Sequence, residues 1–160
     1  METAADLRMM LESLAEEDGV FGLVESGGSG SAEEYVYGLV LDAQEVWAPY
    51  AIEGSRGPSR PADIAGALTA IDRDEAASVM AHLSAGDLVF PGRLRRDREH
   101  AHRAAQRVVK LLGWDSRWWT NIELSDAGNG WNPVSRFTFD GVVVGTGNGF
   151  AVALLQVGED

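Results

Sequence analysis

The chain has no cysteine in its 160 residues. That one absence removes disulfides, thiolate nucleophiles and thiolate metal sites. Histidine is scarce as well, and the three present do not converge in sequence. His100 and His102 sit two apart on an expected helix and point about 200° from each other, while His82 belongs to a different helical segment. No metal site or nucleophile–base arrangement is therefore expected, and no cofactor is implied. The longest aliphatic-aromatic run, Phe150–Leu155, has six residues, against the roughly 20 a membrane-spanning helix needs, so no membrane association is expected. The residues Met1–Asp6 are acidic and open an amphipathic helix, unlike a secretory leader, which leads to an expectation of cytoplasmic residence. The glycine-rich stretch Gly145-Thr-Gly-Asn-Gly149 lies between two expected strands with no lysine and no helix behind it. It reads as a hairpin turn rather than a phosphate loop.

What the chain does have is charge, unevenly placed. Its formal net charge is −12. Residues 1–92 carry 4 Arg and 17 Asp/Glu, residues 93–117 carry 7 Arg, 1 Lys and 3 acids, and residues 118–160 carry 1 Arg and 5 acids. A short basic island in an acidic molecule creates a directional field and suggests oriented binding. The acidic total argues against a general nucleic-acid binder, whose affinity comes mainly from neutralising phosphates. It suits rapid encounter with a basic protein partner.

Length and composition fit one α+β domain spanning 1–160. The first helix reads from a Thr3–Asp6 capping box through Leu7, Met10, Leu11 and Leu14 to the Asp18-Gly19 stop. Val20–Val24 can form a strand, and Ser26–Ser31 is a Gly/Ser loop. Glu34–Leu41 and Gln44–Ile52, rich in Tyr, Val, Leu and Trp, read as an N-terminal antiparallel strand pair. Three helices follow: one from Pro61 carrying Ile64, Leu68 and Ile71, one capped by Asp72 and ending at Gly86, and one capped by Asp97 and ending at Gly113. Trp118–Leu124, Val134–Phe139, Val142–Val144 and Phe150–Val157 then form a C-terminal β-meander. Asp140-Gly141 marks either a hairpin or a bulge within one longer strand. Phe137 and Phe139 are expected on one strand face, as are Phe150, Val152 and Leu154, both sets meeting the helices. The expected architecture is an antiparallel sheet packed with about four helices.

Two groups of residues stand out as candidate binding elements. At about 100° per residue, Arg96, His100, Arg103, Arg107 and Lys110 fall within roughly an 80° arc of the third helix. Ala101, Ala105, Val108 and Leu112 occupy the opposite side. This basic ridge either serves as a solvated face touching the chain's own acids or binds an anionic ligand, nucleic acid or acidic partner. Trp118, Trp119 and Trp131 are candidate aromatic anchors, and the adjacent pair must face opposite sides of a strand.

The pattern Ile64-Ala65-x-x-Leu68, then Asp72 capping a helix with Val79, Met80 and Leu83, then Gly86–Val89, resembles winged-helix regulators. That resemblance implies a DNA-reading helix. The segment that would be that helix, Asp72–Ser78, carries three acids and one Arg, where phosphate favours cations. Small, acidic, cysteine-free α+β domains with several Trp and no catalytic motif also look like immunity proteins and other inhibitors of basic toxins or nucleases. This second resemblance implies a non-enzymatic protein that occludes a basic macromolecule. The alternative is a regulator, or a binder of nucleic acid or a phosphate-bearing ligand, that uses the ridge on helix 97–112.

Overall fold

The structure, a computed structural model, describes residues 2–27, 29–125 and 130–160. Its elements run α1 (Glu2–Leu14), β1 (Val20–Ser26), α2 (Ala32–Val46), a 3₁₀ turn (Ala48–Tyr50), α3 (Ala62–Ala65), β2 (Thr69–Ile71), α4 (Arg73–Ala85), α5 (Arg98–Leu112), β3 (Arg117–Thr120), β4 (Ile122–Glu123), β5 (Gly130–Trp131), β6 (Phe139–Gly147) and β7 (Phe150–Gly158). A five-stranded sheet has the order β1-β7-β6-β3-β2, every pair antiparallel, and β4 and β5 form a separate two-stranded arm. The chain is α+β, as the order of its expected helices and strands suggests.

Helices cover both faces of the sheet. On one face α1, α4 and α5 bury Leu7, Leu11, Leu14, Met80, Leu83, Val108 and Leu112 against Trp118, Val143, Val152 and Leu154. On the other, α2 and α3 bury Tyr35, Val36, Leu39, Val40 and Ile64 against Val142, Val144, Ala153, Leu155 and Val157. A strand covered on both faces needs apolar residues at every position rather than at alternate ones. The uninterrupted run Phe150–Leu155 has this cause.

The expected N-terminal strand pair is not formed. Its first member lies within α2 and its second covers the end of that helix and the 3₁₀ turn. Tyr, Val and Leu favour strands by type, but Tyr35, Val36, Leu39, Val40 and Ala43, all buried, recur at the helical period. Ser31 fixes the helix start: its backbone N–H and its Oγ both donate to Glu34 Oε1, at 2.9 and 3.0 Å. The Gly/Ser stretch is thus the lead-in to a capped helix, with Gly28 outside the described residues. The helix expected from Pro61 is a single turn, followed by β2, so Asp63–Val89 does not form two helices joined by a turn. α1 begins ahead of the expected Thr3 cap.

In the C-terminal half, Val134–Thr138 is not a strand; β6 runs unbroken from Phe139 to Gly147 with Asp140-Gly141 inside it. Phe137 therefore leaves the expected shared face and packs in the α2 cluster, while Val152 and Leu154 pack against α1, α4 and α5. The expected hairpin at 145–149 is present. Asn148 and Gly149 have φ of 51° and 78° between the paired residues Gly147 and Phe150, the two positive φ values that a two-residue type I′ loop requires.

Candidate functional site

The five residues of the expected ridge divide into two groups. Arg96 precedes α5 and turns inward. Its guanidinium donates to the Ser13 carbonyl and to Ser84 Oγ (3.2 Å), and Nη2 lies 3.0 Å from His100 Nδ1. Ser84 Oγ in turn donates to the Leu14 carbonyl at 2.7 Å. Neighbouring Arg95 donates to the Asp18 carbonyl and sits 4.0 Å from Glu17. Arg95 and Arg96 thus fasten the end of α1 to α4. Arg103, Arg107 and Lys110 are exposed on α5, and no carboxylate among the described residues lies within ion-pair distance of them.

The tryptophans take different fates. Trp118 is 1% exposed in the α4–α5 core. Its ring lies over Gly145, where any Cβ would stand 2.3 Å from it. Trp119 faces the opposite side and is half-buried against the α2 cluster, the alternation its strand position requires. Trp131, on the β4–β5 arm, is 38% exposed and tilts against Phe139 with ring centroids 5.6 Å apart. Trp114, just beyond α5, is 84% exposed. It was not among the candidate anchors; its place directly after the Gly113 helix stop, outside both strand and helix patterns, was the available signal.

Trp131, Gly130 and Ile122 line two grooves in common. The first, about 420 Å³, has an apolar floor of Leu88, Val89, Ile122 and Phe139, with His82, Arg93 and Arg98 on its wall. The second, about 790 Å³, is lined by Thr69–Ile71, by Asp74, Glu75 and Ser78 of α4, and by Glu123 and Leu124. One side of the arm carries cations beside Asp87 and Asp140, and the other carries carboxylates with no cation among the described lining residues. Asp72 orders the acidic side by capping α4, its Oδ1 accepting from the Glu75 N–H at 2.8 Å.

A buried polar network supports the arm. Asp140 accepts from the Val134 and Ser135 N–H groups, from Ser135 Oγ (2.8 Å) and from Asn121 Nδ2 (2.9 Å). Asn121 also donates to the Asn132 carbonyl and accepts from the Val142 N–H at 2.7 Å. Burial pushes the Asp140 carboxyl up to about 6, opposed by those donors. On the first groove's wall, burial and then the Arg98 charge hold His82 below its ordinary value. A second buried amide, Gln156, donates to the carbonyls of Leu83 (2.8 Å) and Gly86 (3.0 Å) and accepts from the Leu88 N–H (2.9 Å). It joins the end of α4 and the first groove's floor to the centre of the sheet. From sequence Asp140 reads only as part of an Asp-Gly turn or bulge signal and Gln156 carries no reading, although a lone Asp or Gln within an apolar strand is a legible signal.

Among the described residues no three His, Asp or Glu side chains are placed to hold a metal ion, and no helix is long and apolar enough to cross a membrane. No family model, curated protein sequence or solved structure matches this chain.

Proposed function

We propose that this chain is a non-enzymatic binding protein that occludes a basic macromolecule, in the manner of an immunity or inhibitor protein, and that the partner docks on the acidic groove beside Trp131. The supporting observation is the composition of that groove. Trp131 and Leu124 are 38% and 37% exposed next to Asp74, Glu75 and Glu123, and none of the three carboxylates has a cation within ion-pair distance among the described residues. A half-exposed aromatic supplies the apolar contact that slows dissociation, and unneutralised carboxylates attract a basic surface and speed encounter. The groove also borders β2, an edge strand whose outer side has no partner strand among the described residues, a position open to an added strand. Cytoplasmic residence belongs to the same reading.

The test is binding kinetics against the partner recovered from the native host, across ionic strength. Steering by carboxylates predicts an association rate that falls steeply with salt while dissociation changes little. Replacing Asp74 and Glu123 with Lys should slow association, and Trp131→Ala should speed dissociation. Turnover of a small molecule by the isolated chain would defeat the proposal.

A second reading is a binder of nucleic acid or a phosphate-bearing ligand. It is favoured by the exposed Arg103, Arg107 and Lys110, which have no carboxylate within ion-pair distance among the described residues, with the exposed Trp114 four residues beyond Lys110. A salt titration of RNA and DNA binding separates the two. Under the first reading neither polymer is retained at physiological salt, and an acidic partner held through Arg103 and Arg107 would favour the second.

A further inference from the structure

We propose that the groove between Arg98 and Trp131 is a small-molecule site for a ligand with a planar apolar body and an anionic oxygen group, a carboxylate or a phosphate ester. This goes beyond the binding of a basic partner: the two sites share Trp131 but draw on different charged residues. Arg93 and Arg98 supply the cations here, beside Asp87 and Asp140, where the neighbouring groove presents acids without a cation.

Four observations carry it. The groove's volume of about 420 Å³ lies within the roughly 300–1,000 Å³ of small-molecule sites. Its lining includes the apolar Leu88, Val89 and Ile122, and Trp131 with its tilted partner Phe139 offers an aromatic surface against which a flat ring can stack. The guanidiniums of Arg93 and Arg98 have no hydrogen-bond or ion-pair partner among the described residues, and a guanidinium binds carboxylate and phosphate oxygens by paired donors. Among the described residues, the two carboxylates that also line the groove already accept hydrogen bonds. Asp87 Oδ1 accepts from the N–H groups of Val89 and Phe90 at 2.9 and 3.1 Å, and Asp140 is held by the donors of Asn121, Val134 and Ser135. Both carboxylates keep their charge but are held by neutral donors, so the unengaged N–H groups of Arg93 and Arg98 are the donors left to meet an incoming oxygen anion.

The experiment is an NMR titration of the full chain with 2-naphthoate, 2-naphthyl phosphate and neutral 2-naphthamide, following the Trp131 indole N–H and the Gly130 amide. At least one anion should give saturable shifts with Kd below about 1 mM, and the amide should bind about tenfold more weakly or worse. The tighter of the two anions identifies the anionic group. Arg98→Gln, a change at an exposed position, should weaken the anion about tenfold and leave the amide unchanged, while Arg107→Gln on the far ridge should alter neither. Absence of saturable shifts with both anions up to about 10 mM, equal binding of the amide, or indifference to Arg98→Gln would overturn the site. None of these outcomes involves the macromolecular partner, so this proposal and that one fail separately.

Discussion

Asn121 Nδ2 donates to Asp140 Oδ1 at 2.9 Å, joining the turn before β4 to the start of β6 beneath the arm that carries Trp131. Asp140 is surrounded by donors, so an amide in its place would set N–H against N–H. Asp140→Asn should cost about 2–4 kcal/mol of unfolding free energy, measured by urea denaturation.

The same carboxyl gives the protein a pH dependence. Burial raises it from the ordinary 3.8 to about 6 in the folded state, so the folded chain holds this proton more tightly than the unfolded one. Its contribution is complete below about pH 4 and is lost as pH rises through about 6. Wild-type stability should therefore decline relative to Asp140→Asn across that window, read from unfolding midpoints at fixed ionic strength. A relative gain with rising pH would contradict the assignment.

Truncation of Trp118 should act mainly on stability, and truncation of Trp131 mainly on binding. Trp118→Ala removes a fully buried ring and should cost about 3–5 kcal/mol. Trp131→Ala loses an exposed stack on Phe139, about 1–2 kcal/mol, but should shorten the lifetime of the partner complex. Denaturation and dissociation kinetics measured on both variants decide it.

Charge reversal of Arg103 and Arg107 together should lower stability by no more than about 1 kcal/mol. Arg96→Ala should cost about 1–3 kcal/mol, because it leaves the Ser13 carbonyl without this donor at the α1–α4 junction. A larger effect on the ridge than at Arg96 would reverse the division drawn between exposed and structural cations.

Much of this architecture is legible in the sequence. The helices ending at Gly86 and Gly113 announce themselves through Asp72 and Asp97, and both caps are made. Asn148-Gly149 marks its own hairpin. The error at 34–52 has a physical cause: residue types that suit strands were spaced at the period of a helix, and burial against β6 and β7 follows spacing rather than type. The candidate grooves were less legible. Asp74 and Glu75 stand out as acids, but nothing local places them beside Glu123, Leu124 and Trp131, about 50 residues away along the chain. The ridge was legible as a pattern, yet Arg96 could not be separated from it, because its partners Ser13 and Ser84 lie on other helices.

The sheet order β1-β7-β6-β3-β2 also constrains how the molecule is made. The two strands that separate β1 from β3, β7 and β6, follow every other element, so a ribosome releases β1, β2 and β3 before those strands exist. Until the Asn148–Gly149 hairpin emerges and closes, Phe21, Leu23 and Val24 of β1 have no strand to pair with, a vulnerability typical of long-range antiparallel pairing. Its rapid local closure then presents both inner strands together, as a ready template that the waiting segments can join from either side.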